Sequence, residues 1–227
     1  MWPMTSAREA EEGLVLPGAR SGREPGRSLR PGPRRLSPEQ VASRQRERLL
    51  DGVARTVAEN GYAGARISDI CREAGVTRPV FYELFSGKED AVVAAYRGGT
   101  QQVVRAMGRA YEEAGGAADW PASVRAGLRV LLTLLTENPA FATMVVEIES
   151  VGPAGRGARA ELLASFRRFF ADAPAGPPWV ARAELVDIVV GAVHAAVHRA
   201  VDEGRFTDLP PLLDTLVHVV VTPFTPE

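Results

Sequence analysis

The stretch from Ile67 to Asp90, ISDICREAGVTRPVFYELFSGKED, has the pattern of a short helix, a tight turn, a second short helix and the capped start of a third. Gly75 stands at the turn, where a glycine commonly ends a helix. Two short helices joined in this way form a helix-turn-helix, whose second helix can enter a DNA major groove. We therefore predict an all-α fold with an N-terminal three-helix helix-turn-helix domain over residues 37–87.

The second helix of the motif is predicted to start after Thr77, which has the residue type of an N-cap. Phe81 and Phe85 are four residues apart, so they share the face that points to the core. The other residues near the start of this helix can hydrogen-bond, stack or contact thymine methyl groups. The candidates for DNA contact are Thr77, Arg78, Pro79, Val80, Tyr82 and Glu83.

The segment Ser86-Gly87-Lys88-Glu89 has the pattern of a capping box that opens the next helix. Free backbone N–H groups and the Lys88 ammonium would then lie side by side. This combination favours a bound phosphate, so Lys88 is predicted to anchor the DNA backbone.

The chain before the motif supports it. Ser37 and Gln40 form a further capping box, and apolar residues at helical spacing predict a helix that ends at Asn60-Gly61. Arg44, Arg46 and Arg48 lie near its start, either on a solvated face or against the DNA backbone.

Residues 1–36 are rich in Arg, Gly and Pro and have no apolar period, which predicts disorder. Three alternatives are open for them: a passive tail, a misassigned start codon with true translation beginning later, or a basic arm that contacts phosphates or the minor groove.

The charge is balanced around the motif. The chain has a formal net charge of −1, and residues 37–90 hold eight basic and nine acidic side chains. Strong non-specific DNA binding from a basic surface is therefore not expected. The single cysteine, Cys71, excludes an intrachain disulfide, indicates a reducing compartment, and is expected in the core rather than as a redox sensor. No membrane span or secretory signal is evident, so we expect a cytoplasmic protein.

Residues 49–96, LLDGVARTVAENGYAGARISDICREAGVTRPVFYELFSGKEDAVVAAY, resemble the tetracycline-repressor (TetR) family of bacterial regulators. The specific features are the loop Asn60-Gly61-Tyr62, the turn Ala74-Gly75-Val76-Thr77, and the aromatic residues that follow. The resemblance implies that Tyr82 and Lys88 contact phosphates and that the first turn of the third helix reads bases.

Two positions depart from the family pattern. Relatives usually have Thr or Ser where Arg66 stands, capping the second helix and contacting a phosphate. Arg66 cannot cap, although its guanidinium could still reach a phosphate. Relatives also often have His or Tyr where Leu84 stands, and Leu84 cannot bind a phosphate.

Residues 88–227 are predicted to form a helical ligand-binding and dimerisation domain. It starts with a long linking helix from Lys88 to about Ala114, with a possible kink at Gly98-Gly99, and includes a glycine-rich loop at 152–157. Candidate pocket residues, for which plain core packing is the alternative, are Met107, Leu131, Leu135, Met144, Val145, Phe166 and Phe170.

The last two predicted helices, 179–203 and Leu209 to about Val221, are apolar on more than one face, so they need burial on both sides. A second copy of the chain could cover one side, and the resemblance implies the same homodimer. The candidate interface consists of Asp187, Gly191, His194, Ala195, His198, Leu213, Val217 and Val220. His194 and His198 are four residues apart and could bind a metal, but interface histidines fit the pattern better.

No cofactor site, nucleophile motif or paired carboxylates at a recognisable spacing occur in the sequence, so an enzyme is not expected. We predict a DNA-binding transcriptional repressor, released from a palindromic double-stranded operator by a small apolar or amphipathic effector. The alternative is a helical small-molecule-binding or scaffold protein with a vestigial DNA-binding domain.

Overall fold

The structure is a computed structural model that describes residues 14–20 and 37–225. Within these residues the chain forms nine α-helices joined by short 3₁₀ turns and contains no strand, which confirms the predicted all-α class. The helices are α1 (Pro38–Gly64), α2 (Ile67–Ala74), α3 (Arg78–Leu84), α4 (Lys88–Glu113), α5 (Trp120–Glu137), α6 (Pro139–Val146), α7 (Pro153–Ser165), α8 (Arg182–Asp202) and α9 (Leu213–Val221).

The capping box at Ser37 opens α1. The Ser37 hydroxyl accepts from the Gln40 amide at 3.3 Å, and the Gln40 side chain accepts from the Ser37 amide at 2.9 Å. Gly61, with a φ of 66°, interrupts α1 where its end was predicted, and a last short turn follows the kink. This kink turns the chain toward α2.

The three N-terminal helices share one core. α1 contributes Leu49, Val53 and Val57, and these pack against Phe81 of α3 and the buried Cys71 of α2. The Cys71 thiol is therefore a small core group, and burial raises its pKa.

The caps of α3 and α4 differ from the prediction. Thr77 occupies the N-cap position of α3, but its side chain makes no capping hydrogen bond. Gly87, not Ser86, is the N-cap of α4. The Ser86 amide and hydroxyl instead donate to the Asp90 carboxylate, at 2.9 and 3.1 Å, so Asp90 takes the part expected of Glu89.

In the C-terminal domain, two predictions that were based on glycines were wrong. α4 runs through Gly98-Gly99 without a break. Gly99 instead leaves room for the Phe141 ring, which a Cβ at this position would overlap. The predicted loop at 152–157 is the start of α7. Gly155 packs against the Ile148 carbonyl, so it permits close approach rather than flexibility.

Residues 14–20 correct the prediction of a disordered N-terminal extension. Leu16 is 1% exposed, and the buried Gly18 amide donates to the Asp51 carboxylate of α1 at 2.9 Å. A Cβ on Gly18, whose φ is +89°, would lie 3.0 Å from Ala54 of α1 and 3.2 Å from Ala140 of α6. The segment is thus wedged between α1 and α6. The rest of the predicted disordered extension, 1–13 and 21–36, lies outside the described residues.

Across the described ranges, no single helix is long and apolar enough to cross a membrane. One pair of neighbouring helical segments, Gly116–Glu137 and Pro139–Val151, passes the length and composition test together but is bent by 102°.

Candidate DNA-binding surface and ligand cavity

The outward face of α3 and its N-cap present five of the predicted DNA-contact residues to solvent: Thr77, Arg78, Pro79, Tyr82 and Glu83. Val80 is half-buried. Tyr82 is 56% exposed, and its ring packs edge-on against Phe81 with 5.4 Å between centroids. A projecting aromatic hydroxyl is therefore held in place by a core residue.

Arg66 is exposed at the N-cap position of α2 and makes no capping bond there, as its chemistry predicts. Its guanidinium lies at a helix N-terminus, where a phosphate would also be attracted. The predicted phosphate contact of Arg66 stays a prediction.

Two arginines of α1 brace the motif, a role that the sequence analysis did not identify. Arg48 is buried and donates to the Gly75 carbonyl of the turn at 3.0 Å. Arg46 donates to the Leu84 carbonyl at 3.4 Å and lies 4.6 Å above the Phe85 ring. No sequence pattern distinguishes them from Arg44, because their partners are backbone carbonyls far along the chain.

The structure places Lys88 differently from the expected phosphate anchor. Its ammonium donates to the Tyr62 carbonyl at 2.6 Å and the Ala65 carbonyl at 3.0 Å, and lies 4.2 Å from the Tyr62 ring centroid. Lys88 therefore ties the start of α4 to the connection between α1 and α2.

The same connection is also bound from the C-terminal domain. The Tyr62 amide donates to the Glu147 carboxylate at 3.0 Å. Glu147 directly follows α6, so the Tyr62 peptide links α6 on one side to α4 on the other.

An apolar cavity of about 130 Å³ lies within the C-terminal helices. Six of the seven predicted pocket residues line it: Met107, Leu131, Leu135, Val145, Phe166 and Phe170. Met144 is fully buried but does not reach the wall, because it lies in the core beside it. The wall also includes Thr100 of α4, Phe141 of α6 and Val190 of α8.

Few polar atoms of this wall are free to contact a ligand. The Thr100 hydroxyl donates to the Tyr96 carbonyl at 2.8 Å, and the Tyr111 hydroxyl donates to Asp172 at 3.2 Å. His194 and His198 complete the polar part of the wall, with 5.6 Å between ring centroids. Burial, with the nearby Arg159 and His198, lowers the pKa of His194, so its imidazole is neutral near pH 7. No cluster of three or more metal-ligating side chains occurs in 14–20 or 37–225.

The predicted dimer residues divide between two faces of the last helices. His194, His198 and Val220 line the cavity and Val217 is buried, so these four face the subunit's own core, while the two histidines keep part of their surface exposed. The other four, Asp187, Gly191, Ala195 and Leu213, are exposed or half-buried. Ile188, which no sequence pattern distinguished from its neighbours, is 58% exposed on α8. Its exposure could not be inferred because the whole segment is apolar.

Comparisons with known proteins gave matches to the helix-turn-helix residues and to the fold. Residues 49–95 match the model of the bacterial regulatory proteins of the tetR family. A fatty acid metabolism regulator protein of Bacillus subtilis (strain 168) is 30% identical over 59 residues, which is 26% of this chain. The match spans only 30% of that relative's length.

Solved structures share the fold at low sequence identity. The transcriptional regulator FadR from Bacillus subtilis, in complex with stearoyl-CoA, has a TM-score of 0.66 at 18% identity, over 78% of this chain and 98% of that one. FadR from Bacillus halodurans has a TM-score of 0.64 at 17% identity, over 83% and 97%. The regulator PfmR from Thermus thermophilus has a TM-score of 0.55 at 17% identity, over 80% and 98%.

Members of the tetR family are DNA-binding regulators and not enzymes. Residues 49–95 therefore form an N-terminal domain of the tetR family of bacterial regulatory proteins, and the chain has the fold of the solved transcriptional regulators.

Proposed function

We propose that the chain is a dimeric repressor that a small amphipathic molecule releases from a palindromic operator. Residues 37–87 form its DNA-binding domain and residues 88–227 its ligand-binding and dimerisation domain. The observation that carries the proposal is the apolar cavity, because α4 lines it with Thr100, Val103, Met107 and Tyr111 and begins four residues after α3 ends at Leu84.

Two connections lead from the cavity to the DNA-binding surface. α4 reaches the motif through Lys88, and α6, which lines the cavity with Phe141 and Val145, reaches it through Glu147. Both end on Tyr62. A ligand that shifts either helix would therefore reposition α2 and α3 and change operator affinity.

The outer face of α8 supports the dimer. Ile188 is exposed together with Ala192 and Ala195, which lie on the same side of the helix and are small enough for close packing. A copy of the same face would bury Ile188 and form a two-fold interface. The two recognition helices would then enter major grooves about 34–36 Å apart.

The cavity wall suits the apolar chain of an effector, and a volume of about 130 Å³ holds part of such a chain. FadR from Bacillus subtilis was solved with stearoyl-CoA, a molecule that carries such a chain. The low identity of that structure leaves the ligand of this chain as a proposal, supported by the apolar residues on its own wall.

The proposed DNA binding is tested with the variants Arg78→Ala and Tyr82→Ala in gel shifts, with DNA from the region upstream of the gene that encodes the chain. Each variant should weaken specific binding about tenfold or more, since each removes a base or phosphate contact. Arg129→Ala is the matched control, because Arg129 is exposed on α5, away from α3. Unchanged affinity in both α3 variants would show that α3 is not the recognition helix.

The alternative is a small-molecule-binding protein with a vestigial DNA-binding domain. Its support is the balanced charge of residues 37–90 and the departures at Arg66 and Leu84. A steep fall of DNA affinity with salt would exclude it, because the slope reports the phosphates that the protein neutralises.

A further inference from the structure

A groove of about 280 Å³ opens on the surface between α4 and α7, beside the apolar cavity. Thr100 of α4 and Leu162 of α7 line both spaces. These two side chains therefore form the boundary between the groove and the cavity, and an effector that spans both spaces would pass between them.

The groove is positively charged. Its walls carry three arginines, Arg97, Arg105 and Arg168, and a single carboxylate, Glu161. Arg97 forms a two-bond pair with Glu161, at 2.8 and 2.7 Å. Arg105 and Arg168 form no ion pair with any carboxylate in the described part of the chain. Two positive charges are therefore left uncompensated at the edge of an apolar cavity.

Arg168 is held at the boundary between the two spaces. Its guanidinium lies against the backbone of α4 at Gly108, where a Cβ would come within 2.6 Å of its Nη2 atom. The guanidinium carbon is also 5.2 Å from the centroid of Phe169, whose ring lines the cavity. A glycine and an aromatic ring thus position a cation next to the apolar wall.

We propose that Arg105 and Arg168 bind the anionic head of an effector whose apolar chain occupies the cavity. A guanidinium offers paired N–H donors that match a carboxylate or a phosphate, and either group fits this chemistry. The inference rests on the proposed effector function and narrows its ligand to a long-chain anion.

The experiment uses the full chain and measures the affinity of three probes by isothermal titration calorimetry. The probes are a long-chain fatty acid, the fatty alcohol of the same length, and the corresponding acyl-CoA. The double variant Arg105→Gln/Arg168→Gln is compared with Arg109→Gln/Arg129→Gln, whose arginines are also exposed but lie outside the groove. The wild-type preference between fatty acid and acyl-CoA distinguishes a carboxylate head from a phosphate head.

We expect the groove variant to lose about tenfold or more in affinity for the preferred anion, because charge-assisted bonds are lost. Its affinity for the alcohol should stay within about twofold of wild type, as should every affinity of the control. If the anion binds wild type and groove variant equally, or binds wild type no better than the alcohol does, the head-group site is wrong and the cavity proposal stands. If no probe binds a protein that still binds its operator, the long-chain effector itself is wrong, and the head-group site with it.

Discussion

Lys88, the only lysine in the chain, shows how one side chain can hold two parts of a domain together. Its position at the start of α4 suggested a phosphate contact, since free amides and a cation lie side by side there. Its ammonium instead donates to two carbonyls at the end of α1. The identity of the residue was informative, but its partner lies 26 positions away and no local pattern indicates it.

Lys88→Met should lower the free energy of unfolding by about 2 kcal/mol, because two carbonyls lose a charged donor. Urea denaturation followed by circular dichroism measures this change. Arg66→Met is the control, since Arg66 is exposed and makes no capping bond, and its stability should match wild type. If Lys88→Met has the stability of wild type but no longer binds the operator, Lys88 acts as a phosphate anchor and not as a link within the fold.

At the scale of single residues, two glycines also have roles that depend on partners far along the chain. Gly99 and Gly155 were interpreted as points of weakness, but each lies where a neighbour packs against the helix backbone. The sequence alone does not distinguish a glycine at a helix–helix contact from a glycine in a loop. Only the opposing Phe141 ring or Ile148 carbonyl distinguishes them.

At the scale of elements, local patterns located most of the N-terminal helices. The capping box of α1 and the turn at Gly75 that ends α2 were predicted from neighbouring residues, because these signals act within one turn. The break at Gly61 was predicted as the end of α1, and one further helical turn follows it. The caps of α3 and α4 were wrong in detail, since Asp90 competes with Glu89 for Ser86.

The segment 14–20 is the element that the sequence did not suggest. Leu16 lies in a stretch too short to show a period, and its burial depends on the surface that α1 and α6 form together. The segment contacts a DNA-domain helix and a C-terminal-domain helix at once, so it belongs to the folded body and not to a tail.

Leu16→Ala should lower the free energy of unfolding by about 1–3 kcal/mol, at the low end for a buried leucine because the segment can detach instead of leaving a cavity. Thermal and urea unfolding measure the loss. Arg20→Ala, at an exposed position of the same segment, should have no effect. Equal stability of the two variants would mean that the segment does not contribute to the fold.

At the scale of the whole molecule, the proposed dimer depends on the outer face of α8. Ile188 leaves a large apolar side chain in water, which a second subunit would cover. An aspartate at the centre of such an interface would bury an unpaired charge in each subunit.

Ile188→Asp should therefore weaken the dimer at least about tenfold, and operator affinity should fall with it, because one recognition helix binds half a site. Analytical ultracentrifugation gives the dissociation constant and gel shifts give the operator affinity. Ala183→Asp places the same charge at an exposed position on another side of α8 and should leave both unchanged. A dimer that survives Ile188→Asp would have to use another face.

Local sequence patterns were enough to predict the helical class and the helix-turn-helix, because caps, turns and helical periods act between residues a few positions apart. Six of the seven apolar residues predicted for the pocket also line the cavity. The folded structure was needed to show which face of α8 points outward, which arginines bind the motif, and that Leu16 is buried. These depend on contacts between residues tens of positions apart, where a continuous apolar or basic stretch contains no directional signal. The stretch Ile67–Asp90 thus indicates the proposed DNA-binding surface, whereas its links to the cavity through Tyr62, Lys88 and Glu147 exist only in the folded chain.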